Sequence, residues 1–216
     1  MWENELVDWL PLNIIGKLRN CGEIPKELIT DRGLPLYRVG TIGKQATEFI
    51  SKETFETYKK KYPYPKKGDV LITTAGTVGR FVIFDGSPSY FQGGRIKWLE
   101  NNEKIVLNKY LYYLYSEIKW ETWEACQGER AHLSNETIYN TEIPCPRFEV
   151  QIWSIAALEK FEALLNDSTS SLQTELAFRK KQYNYYMNKL LEFKEDTTVQ
   201  KTDFSKKDTP LFMEGA

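Results

Sequence analysis

The sequence predicts an α+β chain: a mixed, mostly β domain followed by a long C-terminal α-helix. Three observations predict it. Up to residue 148, short apolar runs rich in β-branched and aromatic residues alternate with Gly, Asp and Pro, which is how strands punctuated by turns are written. From Glu149 to about Phe193 neither Gly nor Pro occurs, a run of about 45 residues that as one helix would extend about 67 Å. Within that run, apolar residues recur at alternating three- and four-residue steps, the spacing of a coiled-coil seam.

The elements follow in order. "LPLYRVGTIG", "GDVLITTAGTVGRFVIFDG" and "GGRIKWLE" read as strands bounded by turn residues. "FVIFDGSPSY" reads as a strand followed by an Asp-Gly turn. "LNKYLYYLYSEIKWETWEA" reads as a helix, with Asn108 as its N-cap and Leu107, Leu111, Leu114 and Ile118 as its apolar stripe. In the C-terminal run, the positions Leu158, Phe161, Leu165, Ser168, Leu172, Glu175, Arg179, Tyr183, Tyr186, Leu190 and Phe193 trace the seam, with polar breaks at Ser168, Glu175 and Arg179. A helix of that length cannot bury its stripe on a domain at one end, so a second helix is expected to cover it. Leu158, Phe161, Leu165, Leu172, Tyr183, Tyr186 and Leu190 are then the expected dimer interface. The alternative is a helix folded back on itself, with "NDSTSS" (166–171) as the break. The expected organisation is a domain over 1–148, a helix over 149–195 and a polar, disordered tail over 196–216.

Composition narrows the function. Apolar residues make up 41%, enough for a core, and the formal net charge is −1. Bulk charge therefore does not select a polyanion, and a nucleic-acid partner would need a local basic patch. Cys21, Cys126 and Cys145 are odd in number and widely spaced. They suggest neither a disulfide framework nor a zinc site. The start, "MWENELVDWL", lacks a basic region and does not read as a signal peptide. No apolar run approaches the roughly 18 residues of a membrane span. A cytoplasmic protein without membrane association is expected.

The stretch "ITTAGTVGR" (72–80) resembles a phosphate loop only superficially. A P-loop needs GxxxxGK[ST], whereas Gly76 and Gly79 have only two residues between them and Arg80 replaces the Lys-Ser/Thr pair. A dinucleotide loop opens a helix, and this one opens a strand. What remains is a corner with hydroxyls, two glycines and an arginine, suited to phosphate oxygens or a base edge. Further polar and basic residues stand in "TYKKKYPYPKKGD", in "FQGGRIK" (Gln92, Arg95, Lys97) and in "QGERAH" (Gln127, Arg130, His132). Lys44, Gln45, Thr74, Thr77, Arg80, Gln92, Arg95 and Arg130 are the DNA-contact candidates by chemistry. Catalytic motifs are poor: HExxH, GxSxG, paired carboxylates and Asn/Asp-Pro-Pro-aromatic are all missing. A dyad of His132 with Cys126 or Cys145 is the enzymatic rival. No catalytic residue, cofactor or metal is expected.

Five stretches in order carry a resemblance: "YRVGTIG", "KKGDVLITTAGTVGR", "NKYLYYLYS", "IPCPRFEVQ" running into the helix, and "RKKQYNYYMNKLLEF". They resemble the specificity subunits of type I restriction–modification systems over roughly residues 5 to 195. The resemblance implies a target-recognition domain, then a conserved spacer helix. It implies double-stranded DNA and methyltransferase (modification) subunits as partners, with a restriction subunit as a further one, and no catalysis by the subunit itself. A full subunit of that family has two recognition domains and two helices packed antiparallel, so one of each implies a half-length form acting as a homodimer whose helices pair as an antiparallel coiled coil. The rival within the family is a decoy fragment that pairs with a full-length subunit without reading DNA.

Overall fold

The structure, a computed structural model, describes residues 7–118, 132–166 and 173–191. In chain order the elements are β1 (Asp8–Pro11), α1 (Leu12–Ile15), β2 (Gly16–Arg19), β3 (Ile29–Thr30), β4 (Leu34–Tyr37), β5 (Glu48–Ile50), α2 (Lys52–Lys61), β6 (Val70–Thr73), β7 (Phe81–Ile83), β8 (Tyr90–Phe91), β9 (Ile96–Asn101), α3 (Asn108–Glu117), α4 (Asn135–Tyr139), β10 (Glu142–Cys145), α5 (Phe148–Asn166) and α6 (Gln173–Leu191). The mixed α+β class is what the sequence predicts.

A four-stranded antiparallel sheet in the order β2-β9-β6-β7 divides two cores. Alternation along β6 places Val70 and Ile72 in one cluster and Leu71 in the other, because successive side chains of a strand point to opposite faces. The first cluster takes Leu12, Ile15, Leu99, Ile143 and the apolar face of α3. The second takes Ile24, Leu36, Ile42, Phe55 and Trp98, under the smaller sheet β3-β5-β4-β8, in which β4 and β8 run parallel. β1 and β10 pair antiparallel as a separate ribbon.

Two expectations about helices are corrected. Asn108 is the first residue of α3 rather than its N-cap; Leu107 takes the cap position and makes no side-chain cap bond. The Glu103 carboxylate instead accepts the Asn108 N–H at 3.1 Å, an anion at the positive end of the helix. Second, the long C-terminal segment is two helices of 19 residues each, α5 and α6, packed on one another. Phe161 stacks on Tyr186 with ring centroids 5.0 Å apart, and Arg179 Nη1 donates to the Leu164 carbonyl at 3.3 Å. The seam expected to face a second chain thus faces this one. Leu158 is fully covered in the first core, with Met187 and Leu191 beside it, and Tyr183 and Leu190 pack against the same cluster. Leu165 is half-buried, and Leu172 lies outside the described residues. The physical reason is supply. Helix α3 offers α5 a ready surface, where Tyr113 OH donates to Glu162 at 3.0 Å and Lys109 meets Glu159 at 3.5 Å. Folding back covers Leu158 and partly covers Phe161, Tyr183, Tyr186 and Leu190 within one chain. The expected tail over 196–216 also lies outside the described residues.

Candidate nucleic-acid interface

The "ITTAGTVGR" corner joins β6 to β7, and its threonines do internal work. Thr73 N–H donates to the Arg80 carbonyl at 2.8 Å, and the Gly79 N–H returns to the Thr73 carbonyl at 3.0 Å. The Thr73 hydroxyl bonds the Thr77 carbonyl and accepts the Arg80 N–H at 3.1 Å. Gly76 and Gly79 hold φ of 73° and 78°, left-handed values that glycine adopts without the Cβ penalty. These bonds clamp the base of the loop and leave Thr77 exposed at its tip.

Three other segments close on this corner. The turn after β4 is built on Arg38, whose carbonyl accepts the N–H groups of Thr41 and Ile42 at 3.0 Å each. Arg80 Nη1 reaches the Gly40 carbonyl of that turn at 3.4 Å. The short turn Gly93–Arg95 supplies the Arg95 carbonyl, which accepts the Thr74 N–H at 2.8 Å. The segment before α4 joins from the other side: Leu133 N–H donates to the Thr74 carbonyl at 2.7 Å, and His132 bridges Ala75. Residues 38–45, 74–80, 93–97 and 132–135 therefore meet at the C-terminal end of β6.

The sequence candidates divide on this frame. Lys44, Gln45, Thr77 and Arg95 are exposed and Arg80 is half-exposed. Two candidates are corrected. Thr74 is fully buried, and its hydroxyl faces the Arg95 carbonyl at 3.3 Å. Gln92 is buried with both ends of its amide engaged: Oε1 accepts the Ile24 N–H at 3.2 Å and Nε2 donates to the Ile24 carbonyl at 2.9 Å. Both are fastenings, because a buried polar group that has its partners has nothing left to offer a ligand. Arg130, with Gln127, lies outside the described residues. His132 and Lys97 belong to the face, and Asn135 joins it with no local sequence signal. The lysines of "TYKKKYPYPKKGD" do not reach it. Lys66 and Lys67 stand at the entry to β6, a strand length of about 13 Å from its far end, and Lys59, Lys60 and Lys61 close α2.

Charge suits this face to an anion. Arg19, Arg38 and Lys109 are each neutralised by a carboxylate, Glu100, Glu48 and Glu159 respectively. Among the described residues, Lys44, Arg80, Arg95 and Lys97 form no ion pair. Four cations without a carboxylate partner, three on loops and Lys97 on β9, stand around the end of β6 and suit a polyanion. Of the rival dyad, Cys126 lies outside the described residues and Cys145 sits in β10, where burial pushes its thiol up to about 12. At neutral pH that sulfur is a thiol rather than a nucleophilic thiolate. No group of three His, Cys, Asp or Glu among the described residues is placed to hold a metal ion.

Known proteins match this arrangement. Residues 8–177 match the family described as the type I restriction modification DNA specificity domain. A Haemophilus influenzae protein, provisionally named a type I restriction enzyme specificity subunit, is 41% identical over 191 residues, covering 88% of this chain and 49% of its own length. The EcoR124I/EcoR124II specificity subunit of Escherichia coli is 30% identical over 202 residues, covering 91% and 47%. The chain thus spans about half the length of the curated relatives it matches. Among solved structures, the HsdS subunit from Thermoanaerobacter tengcongensis shares the fold at 18% identity with a TM-score of 0.56, covering 86% of this chain and 44% of that one. A chain from a study of type I restriction–modification complex assembly superposes with a TM-score of 0.61 at 16% identity, covering 86% and 46%. With the family match over most of its described length, the chain belongs to the type I restriction–modification DNA specificity family.

Proposed function

We propose that the chain is a non-catalytic DNA-sequence reader. It recognises one half of a bipartite double-stranded site through the loop face at the end of β6, and it docks methyltransferase subunits that act on that DNA in the cytoplasm. The observation that carries this reading is the convergence of four chain segments bearing exposed Lys44, Gln45, Thr77 and Arg95 with Arg80, none of the cations compensated by a carboxylate among the described residues. Arg and Gln side chains match guanine and adenine edges in the major groove, and the clamped loop base keeps them in register.

In this proposal the chain acts as a homodimer. The closed hairpin uses Leu158, Phe161 and Tyr186 internally, so pairing falls to its outward apolar residues. Trp153, Phe178 and Tyr185 are 48%, 69% and 59% exposed. Two-fold pairing places identical readers at both ends, and site symmetry mirrors protein symmetry. Strand-resolved mapping of methylated bases tests this in cells with the chain and its methyltransferase against cells lacking the chain. A palindromic, gapped motif that vanishes with the chain is expected. An asymmetric motif overturns the homodimer, and an unchanged map overturns the reader in favour of the decoy.

A further inference from the structure

Lys97 lies on β9 opposite Ile72 of β6, two residues beyond Arg95, whose carbonyl fastens Thr74. Its neighbours Ile96 and Trp98 are buried in the second core, so alternation turns Lys97 to the other side of the sheet, where α4 begins. There its ammonium donates to Asn135 Oδ1. Asn135 is exposed, and its segment is stitched to the loop by the Leu133–Thr74 bond and the His132–Ala75 bridge. The pair is thus built from residues 38 apart in sequence at the root of the reading loop.

The contact orients the ammonium without neutralising it. A neutral amide takes one of the three N–H donors of lysine and leaves two. No carboxylate among the described residues pairs with Lys97, although Glu136 follows Asn135 directly. Partial burial lowers the Lys97 pKa, so the charge is held at a cost that its protein partner does not offset. The cations at Arg19, Arg38 and Lys109 are each compensated by a carboxylate.

We propose that Lys97, aimed by Asn135, is a DNA-backbone phosphate contact of the reading face. This rests on the DNA-reading proposal and assigns a grip to it. A half-buried ammonium at the root of a loop meets the rim of the groove, where the phosphates are, while the exposed tips at Thr77 and Arg95 enter toward base edges. Lysine binds phosphate as a point charge and carries no sequence information there.

The test is salt-dependent binding of the full chain to a random-sequence DNA duplex and to a duplex carrying the mapped methylation site. Lys97→Met is expected to weaken both alike and to reduce the slope of log affinity against log salt by about 0.9, the value for one phosphate contact. Lys97→Arg should restore the slope, and Asn135→Ala should fall between wild type and Lys97→Met. If Lys97→Met does not fold, Lys97→Gln, which keeps a donor toward Asn135, takes its place. An unchanged slope overturns the assignment while leaving the reader intact, as does a loss confined to the mapped site, which would make Lys97 a base contact. Failure of the unaltered chain to bind either duplex overturns the reader and this grip together.

Discussion

The two ends of β6 carry similar polar residues and use them in opposite ways. At the N-terminal end, the Asp69 carboxylate accepts the Lys66 N–H at 2.7 Å and the Asn108 amide at 3.5 Å, and Asn101 donates to Asn108 at 2.9 Å and to the Val106 carbonyl at 2.6 Å. That network turns inward and roots the start of α3. A cavity of about 410 Å³ beside it is lined by both signs of charge, with Arg19 and Lys66 facing Glu100 and Glu103. At the C-terminal end, Thr73 and Thr74 close an equally tight set of bonds, yet the cations around them face outward without counter-charge. What distinguishes them is the sign of the charge gathered there: Asp69, Glu100 and Glu103 stand at the first end, whereas Arg80, Arg95 and Lys97 gather at the second with no carboxylate paired to them among the described residues, which fits an anionic ligand.

The largest effect that sharpens this contrast is expected from Arg80→Ala with Arg95→Ala. Each removes a side chain able to pair with a base or phosphate, worth about 1–3 kcal/mol per good contact. Stability should fall by no more than about 1 kcal/mol, because Arg95 is exposed and half-buried Arg80 loses one long bond to the Gly40 carbonyl. Gel-shift titration and thermal unfolding of the same variant check both halves, and unaltered DNA affinity would remove these arginines from the interface. Gln92→Ala is the converse. It strands the Ile24 N–H and carbonyl, so stability should fall by about 1–3 kcal/mol, while DNA affinity per folded molecule holds. A selective loss of DNA binding without loss of stability would return Gln92 to the reading set.

The smallest effect probes the inward end by pH. Burial, ahead of every other cause, holds the Asp69 carboxyl above its ordinary range. A carboxyl raised on folding adds stability while protonated, and that contribution is full below the ordinary carboxylate range and lost as pH rises through the raised value. Asp69→Asn keeps an acceptor for the Lys66 N–H and removes this dependence. The variant should therefore gain in Tm over wild type as pH rises from the acid side to neutrality, and a gap that closes toward neutrality would mean that the ionised form is the favoured one.

Much of the fold is legible in the sequence, for local reasons. Strand alternation in "VLIT" and "IKWL", the Asx-type turn at Asp85 and the glycines of the "ITTAGTVGR" corner each depend on neighbours a few residues away. The candidate site was legible by residue type and only half legible by role. Arg95 and Gln92 belong to one short stretch and are equally suited to a base edge. One is exposed, and the other is clamped to Ile24, which lies 68 residues away. The helical seam failed differently: Leu158, Phe161 and Tyr186 are covered by this chain, and α6 buries Met187 and Leu191, which the seam did not include.

The sequence by itself determined the α+β class, the loop that is no nucleotide cradle, the heptad periodicity and the family. Tertiary structure alone decided that the seam closes as the α5–α6 hairpin, that Thr74 and Gln92 are fastenings, and that Lys97 meets Asn135. The physical reason is range. Periodicity and turn chemistry are properties of adjacent residues, whereas burial and counter-charge are set by groups that only folding brings together.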